Sequence, residues 1–390
     1  MEIRTNILRL FATMYIIIFS IYIHVMDPVM GIDKILFLIL SIGGFFLFYF
    51  KISIPLLLGI LSLFIQFLVS NFNPSTFRLS TFIYSTALTL SFISIYTLVY
   101  DRHVFSIQYF INLMKYLIIA FFFTCIIQQA LILSGFRNIP WINLYYLGRG
   151  FGCSSLSFEP STFARFLFVY YFAYIKCFEY KQGFKISIKE VFSVEHRMIT
   201  LMFLWMMCTM GSGTAFVCLA LLSLNFISKN NWYYIIPATF AIFFLILPNL
   251  NLKESNRAVN IMTAITTFDQ QQVENADGSG ASRISPLLNS FTVDFTQKET
   301  WFGHGTDYAK KNNLFIKQES TLFDDYGLIW YITILAFSLY SAYGYSFYTT
   351  ILMFSGVAGG GFSNINYAWC LMIIISCIRY FHLNNKSDQN

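Results

Sequence analysis

The sequence has little charge for its length. Only 11% of its 390 residues are Asp, Glu, Lys or Arg, whereas 57% are hydrophobic and 19% are aromatic. A soluble chain of this size has no use for so much apolar surface, so the composition argues against an aqueous globular protein. The formal net charge of +6 is not gathered into a basic block of the kind that binds nucleic acid, so we expect no nucleic-acid partner.

Motifs for several reaction classes are also absent. The chain has no Walker loop, no G-x-G-x-x-G, no H-E-x-x-H and no G-x-S-x-G. ATP hydrolysis, dinucleotide chemistry and zinc proteolysis therefore have no support. There is also no D-x-D pair of the kind that holds the metal of a sugar nucleotide. We expect neither a cofactor nor a bound metal.

Long apolar runs are the main feature of the sequence. They do not alternate with polar residues, which indicates helices, and in lipid a helix satisfies its own backbone. About twelve spans of roughly 20 residues are predicted. They lie near residues 7–26, 33–50, 53–70, 80–100, 113–134, 161–180, 196–211, 213–229, 232–249, 326–343, 345–360 and 365–382. The predicted fold is an all-α polytopic membrane protein, with residues 1–390 as a single integral membrane domain.

The lysines and arginines orient the chain, because short cytoplasmic loops carry an excess of them. With the N-terminus in the cytoplasm beside Arg4 and Arg9, the basic loop 181–197 also falls inside. The opposite orientation places that loop outside, which the rule disfavours. We therefore predict cytoplasmic N- and C-termini, and we place segments 136–161 and 250–325 on the outer face.

The seven cysteines are dispersed, without a C-x-x-C pair. In this topology only Cys153 lies in an outside loop, and the others lie in or near spans. A lone thiol has no partner for an intramolecular bridge, so the sequence implies no disulfide and no zinc site.

Both signs of charge gather where the sixth span begins. Arg149, Glu159 and Arg165 lie within the stretch RGFGCSSLSFEPSTFAR. Pro160 suits the first position of a helix because it has no N–H group, so Glu159 is the predicted cap and Ser161 lies in the first turn. The positive helix end and the two arginines would bind phosphate. The alternative is a capped helix whose arginines reach the membrane interface.

A second predicted helix start lies in MGSGTAF, residues 210–216. Ser212 stands at the beginning of the eighth span and is a candidate substrate ligand. A tight glycine turn between two spans, without any ligand, is the alternative.

The long outer segment 250–325 begins with the flexible polar run ENADGSG. Ser282 is predicted to cap a short helix that runs through about residue 296. Arg283 follows the flexible run and could swing onto a bound anion.

The end of the same segment contains candidate acid–base groups. His304 lies between two glycines in WFGHGTDY, where backbone can approach a ligand closely, and histidine titrates near neutral pH. ESTLFDDYGL contributes Glu319 and two aspartates as candidate bases, with helix capping as the alternative. Tyr326, at the start of the next span, is a candidate substrate ligand.

In these blocks the chain resembles the O-antigen polymerase (Wzy) family, within the superfamily that includes the O-antigen ligases. The resemblance is carried by SFEPSTFAR at 157–165, SRI at 282–284, WFGHG at 301–305 and ESTLFDDYGL at 319–328. The number of predicted spans and the large late outer loop are similar to that family as well.

The resemblance implies a GT-C-like glycosyltransferase of the bacterial inner membrane. It would polymerise oligosaccharide repeat units carried on undecaprenyl diphosphate into O-antigen or capsular polysaccharide at the periplasmic face. The lipid-linked oligosaccharide would be both donor and acceptor. Membrane lipid and a chain-length-regulating membrane protein are the further implied partners.

The resemblance also implies residue roles. Arg149, Arg165 and Arg283 would hold the lipid diphosphates, since the planar arginine fork matches phosphate oxygens. The general base stays open among three residues: Glu159, His304 and Glu319. Ligase-type members have a histidine where this chain reads Lys317, Gln318, Glu319, which counts against a ligase.

Two alternatives remain. One is an O-antigen ligase that transfers glycan to lipid A-core. The other is a flippase or transporter of lipid-linked oligosaccharide, which would also bind diphosphate through arginines. A transporter should carry charges along a path between the leaflets, whereas the predicted spans are nearly free of charge at mid-depth.

The predicted topology can be tested with single cysteines at Ser187 and Ser279 in a background without Cys153. An impermeant thiol reagent applied to intact spheroplasts should label position 279 and leave position 187 unlabelled, because only the segment 250–325 is predicted to face outward. Labelling of position 187 alone would reverse the orientation.

Overall fold

The computed structural model describes the chain in separate stretches. They cover residues 2–21, 39–41, 43–44, 52–72, 79–135, 152–157, 159–227, 232–234, 237, 285–317, 319–341, 346, 348–350, 352 and 367–387. All regular structure within these stretches is helical. The spans predicted at 33–50, 232–249 and 345–360 lie largely outside them, so the count of about twelve stays a prediction.

Thirteen helices are bounded within the described residues. They are α1 (Glu2–Ser20), α2 (Ile54–Phe72), α3 (Leu79–Tyr100), α4 (Ile107–Leu133), α5 (Pro160–Gln182), α6 (Ile188–Val191), α7 (Arg197–Thr209), α8 (Gly213–Asn225), α9 (Lys298–Phe302), α10 (Tyr308–Lys311), α11 (Leu314–Lys317), α12 (Gly327–Tyr340) and α13 (Tyr367–Ser387).

By length and composition, α2, α3 and α4 could each cross a membrane. Helices α1, α7, α8, α12 and α13 contain shorter apolar stretches. The all-helical character predicted from the sequence is therefore confirmed for the described part of the chain, and three of its helices are long and apolar enough to cross a membrane. The outer side of α2 fits this environment, because it exposes Ile54, Leu57, Leu61, Phe64 and Leu68, which repeat at helical spacing.

The helix predicted between Ser282 and about residue 296 ends earlier in the structure. Ser282 lies outside the described residues, and among those from 285 onward the helix continues only to residue 289. The N–H of Ser290 still bonds to the carbonyl of Pro286 four residues back, but the N–H groups of Phe291 and Thr292 bond to carbonyls three residues back, which closes a turn. Asp294 then accepts hydrogen bonds from the backbone and hydroxyl of Thr296, at 2.9 and 2.7 Å. Such local aspartate bonds favour a turn over continued helix, so the predicted end near residue 296 was wrong.

The chain divides into two compact units. Unit 1 consists of Met1–Phe37, His103–Val259 and Cys377–Asn390. Unit 2 consists of Leu38–Arg102 and Asn260–Ser376.

Helix α5 forms the centre of unit 1 and packs against α4, α7 and α8. Almost every residue from Pro160 to Glu179 is buried. On one side Phe121 of α4 contacts the rings of Phe163 and Tyr170, with centroids 5.5 and 5.8 Å apart. On another side Tyr171 stacks on Phe203 of α7 at 4.1 Å. These aromatic contacts fix the position of the α5 N-terminus within the unit.

The short segment 152–157 of unit 1 is buried although it is not helical. Gln128 of α4 bonds both backbone groups of Ser155: its Nε2 donates to the carbonyl at 2.9 Å, and its Oε1 accepts from the N–H at 2.7 Å. The Ser155 hydroxyl donates to the carbonyl of Phe121 at 2.7 Å. Irregular backbone survives away from water only where the protein satisfies it, and Gln128 does so here.

In unit 2, α2 packs against both α3 and α12. A buried polar contact links these helices, since Gln66 Nε2 of α2 donates to Ser85 Oγ of α3 at 2.9 Å and to the hydroxyl of Tyr326 at 3.0 Å. Tyr326 is the residue that precedes α12.

Two loop stretches of unit 2, residues 303–305 and 324–327, run side by side. The N–H of His304 donates to the Asp324 carbonyl at 2.8 Å, and the N–H of Gly305 donates to the Asp325 carbonyl at 2.9 Å. The blocks WFGHG and DDYGL, which the sequence marked separately, therefore form one structural element.

Gly303 and Gly327 allow this close pairing. Both have positive φ, +73° and +80°, a region that favours glycine. A Cβ at Gly303 would lie 2.5 Å from the Asp325 carbonyl oxygen, and one at Gly327 would collide with the backbone of Trp301. The glycines therefore bring backbone against backbone, whereas the sequence had suggested approach to a ligand.

The pairing can be tested by comparing Gly327→Ala with Gly183→Ala. Gly183 has nearly the same φ, +77°, but nothing lies within 4 Å of an added Cβ. Gly183→Ala should cost about 1–2 kcal/mol from backbone strain. Gly327→Ala should cost about 1–3 kcal/mol more, because the methyl group meets backbone that cannot move aside. Thermal unfolding in detergent measures both, and equal losses would contradict the tight pairing.

Candidate functional site

The predicted site residues that the structure describes fall in both units. Those in unit 1 are Glu159, Ser161, Arg165 and Ser212. Those in unit 2 are His304, Glu319 and Tyr326. Arg149 and Arg283 lie outside the described residues.

The start of α5 has the predicted form, with Glu159 at the N-cap and Pro160 as the first helical residue. The Glu159 side chain does not cap the backbone of the helix. Its Oε1 instead accepts hydrogen bonds from the hydroxyl of Ser161 and, at 3.4 Å, from that of Thr162. The carboxylate is therefore held beside the first turn by two hydroxyl donors.

Arg165 lies on α5 close to where α8 packs. It is half-buried, and its positive charge interacts electrostatically with the side chain of Cys218 of α8. The guanidinium is therefore on the side of α5 that meets α8, about one turn inward from Ser161.

Ser212 stands at the start of α8, as the sequence predicted, in the N-cap position but without a side-chain capping hydrogen bond. The residue before it, Gly211, has φ +70°, and a Cβ there would lie 3.1 Å from the Cα of Gly152. The α7–α8 turn thus rests directly on the buried segment 152–157, which leads into Glu159. The two helix starts picked out in the sequence belong to one packed region of unit 1.

In unit 2, His304 is half-buried within the paired loops. Its Nδ1 lies 3.3 Å from the carbonyl oxygen of Asp324, and its ring stacks on that of Tyr308 at 4.2 Å. A donor proton on Nδ1 would bond this carbonyl and leave Nε2 as the acceptor nitrogen. The residue is thus positioned by three contacts, including its backbone bond to Asp324.

The three carboxylates that precede α12 have different surroundings. Asp324 accepts bonds from the N–H and hydroxyl of Thr321, both at 2.6 Å, and Asp325 accepts from the N–H of Ala309 at 3.0 Å. Burial raises the pKa of Asp325 to about 6, against the opposing effect of the Ala309 bond. Burial also raises the pKa of Asp324. Glu319 is exposed to solvent.

Tyr326 is buried in unit 2. Its hydroxyl accepts from Gln66 and also bonds to Thr306, which in turn lies 2.9 Å from the hydroxyl of Ser70. This network holds the start of α12 against α2. The substrate-binding role predicted for Tyr326 stays a prediction.

Among the residues that the structure describes, no group of three or more His, Cys, Asp or Glu side chains is placed to hold a metal ion.

Sequence reasoning missed several polar residues that organise this region. Gln66, Gln128 and Gln129 all lie inside predicted spans, and all are buried. These glutamines could have been identified in the sequence from their residue type alone, because an amide side chain within a membrane span requires a hydrogen-bond partner.

Cys153 was placed in an outer loop as a thiol without a partner. In the structure it is fully buried, and its sulfur lies 2.9 Å from that of Cys125 in α4. The prediction that Cys153 lacks a thiol partner was wrong, because the segment 152–157 folds against α4 within unit 1.

No family model matches the chain, and searches of curated proteins and of solved structures return no significant match. The resemblance to the O-antigen polymerase family therefore stays a prediction from the residues quoted above.

The buried carboxyl of Asp325 predicts a pH dependence of stability. Its folded pKa lies above the ordinary value, so the folded state binds the proton more tightly, and this stabilisation is lost as pH rises from about 4 to about 6. Asp325→Asn removes the charge but keeps an oxygen for the Ala309 N–H. The melting temperature of the variant, relative to the native protein, should therefore be higher at pH 7.5 than at pH 4.5.

Asp294→Asn is the matched control. Asp294 is exposed, and its bonds to Thr296 lower its pKa, so it stays ionised across this pH range. Its effect on the melting temperature should be the same at both pH values. If the effect of Asp325→Asn on the melting temperature were also the same at both pH values, Asp325 would not have a raised pKa.

Proposed function

We propose that this protein is a glycosyltransferase that polymerises undecaprenyl-diphosphate-linked oligosaccharide repeat units. It works in a bacterial inner membrane, in a GT-C-like architecture, and makes O-antigen or capsular polysaccharide on the periplasmic side. The segments 136–161 and 250–325 face that side, and both termini face the cytoplasm.

The observation that carries the proposal is the arrangement at the start of α5. A carboxylate, Glu159, is held by two hydroxyl donors at the N-terminus of the most central helix of unit 1, and Arg165 follows six residues, or less than two helical turns, later. Charged groups within an apolar chain are costly and are usually functional. The substrate is itself amphipathic, with a lipid tail, a diphosphate and sugars in that order. Arg165 on the inner side would face the diphosphate, and Glu159 on the outer side would face the sugars.

The proposed chemistry is a displacement at the sugar carbon that bears the diphosphate. Negative charge grows on the departing diphosphate in the transition state. Fixed cations and the positive end of α5 stabilise that charge, which is commonly the largest contribution to rate. Arg165 is the described cation, and Arg149 and Arg283 are proposed to complete the set. A single displacement inverts the anomeric centre.

Glu159 is the first candidate for the base that deprotonates the acceptor hydroxyl. The Ser161 and Thr162 hydroxyls bond to its Oε1 and hold the carboxylate beside the first turn of α5. General base catalysis of this kind contributes about 10²–10⁴ to the rate. His304, held by its contacts with Asp324 and Tyr308, and the exposed Glu319 are the alternative bases.

Glu159→Gln should sharply reduce polymerisation, because glutamine keeps the size and much of the hydrogen bonding but cannot accept the proton. Surface glycan on gels should show single repeats in place of a ladder, at normal membrane levels of the protein. Glu299→Gln, at an exposed carboxylate of α9, is the control and should leave the ladder intact. A full ladder from Glu159→Gln would assign the base to His304 or Glu319.

A deletion strain separates the proposed function from its alternatives. Loss of a polymerase leaves single repeats on the finished lipid. Loss of a ligase leaves long polymers on undecaprenyl diphosphate, and loss of a flippase leaves no glycan outside.

A further inference from the structure

Two cysteines of unit 1 lie in direct contact. The sulfur atoms of Cys125 in α4 and Cys153 in the segment 152–157 are 2.9 Å apart. Non-bonded carbon atoms attract best at about 3.5–4.0 Å, and sulfur is the larger atom, so this pair is closer than ordinary packing. Neither side chain is exposed to solvent.

The contact is imposed by the surrounding structure on both sides of Cys153. Two residues after it, Ser155 is bonded through both backbone groups to Gln128, less than one helical turn from Cys125 on α4. One residue before it, Gly152 lies against Gly211 of the α7–α8 turn. The segment therefore cannot move away from α4 without breaking these contacts, and the two thiols are held together.

We propose that Cys125 and Cys153 form a disulfide in the assembled protein, which fixes the segment 152–157 to α4. The bond closes a loop between residues 28 apart in the chain. This proposal concerns the covalent structure of unit 1 and does not depend on the glycosyltransferase activity. It requires that the C-terminal end of α4 faces an oxidising compartment, where disulfides persist.

The reaction is thiol–disulfide exchange with a disulfide-bearing oxidant of that compartment. The Cys153 thiolate attacks the oxidant's disulfide and forms a mixed disulfide, releasing one oxidant thiol. The Cys125 thiol then loses its proton and attacks the Cys153 sulfur, releasing the second oxidant thiol. Two protein thiols are oxidised and one oxidant disulfide is reduced to two thiols. Because both sulfurs are buried in the folded unit, the exchange takes place while the segment docks onto α4.

Sequential thiol labelling of the full-length protein tests the proposal. Cells are quenched with acid to stop exchange, and the protein is unfolded in SDS and blocked with N-ethylmaleimide. A reductant is then added, followed by a maleimide carrying a polyethylene glycol chain that shifts the band on a gel. Five of the seven cysteines should be blocked in the first step, and two should gain the large label after reduction.

Two variants assign the pair, and a third is the control. Cys125→Ser and Cys153→Ser should each abolish the reductant-dependent shift. Cys208→Ser, at an exposed cysteine of α7, should retain both additions. Blocking of all seven cysteines before reduction would overturn the proposal. So would two additions that persist in Cys125→Ser, because the bonded pair would then lie elsewhere.

Discussion

A polar group inside an apolar chain must find its partner within the protein, and the described structure rests on three glutamines that meet this constraint. Gln128 satisfies the backbone of Ser155. Gln129 donates to Thr209 and accepts from Trp205, which joins α4 to α7. Gln66 joins α2 to α3 and to the start of α12. Each amide also fixes the register of its helix against its neighbour. A shift of one residue along the helix axis would leave a buried donor or acceptor unpaired.

The same constraint explains how the candidate site is built. The residues at the start of α5 need a precise position, yet the segment 152–157 before them is not helical and does not satisfy its own backbone groups. Pairing with Gln128 and contact with the α7–α8 turn make this chain part of the core of unit 1. In unit 2 the paired stretches around Gly303 and Gly327 do the same for His304. In both units a rigid backbone supports the few side chains that carry charge.

The sequence predicts the helices well because each depends on a local apolar run. The segments predicted to be helical at 53–70 and 161–180 are the helices α2 and α5, with ends that differ by two residues or fewer. The pairing of Gly303 with Gly327, or of Cys125 with Cys153, involves residues that no local pattern connects. The glycines and cysteines were visible in the sequence, but what lies against them is a property of the folded chain. For the site, the helix starts at Glu159 and Ser212 were predictable, whereas the division of the candidates between two units was not.

Unit 1 contains segments from both ends of the chain, and this sets the order in which the protein can fold. Its first helices are synthesised early, but part of its core comes from the end of α13. His103 bonds to the hydroxyl of Tyr380, 277 residues later, and Phe110 packs on Phe381 with ring centroids 5.4 Å apart. The ribosome therefore completes every residue of unit 2 before unit 1 can close. Until then the early helices of unit 1 lack the aromatic residues from the end of α13 against which they pack in the folded protein.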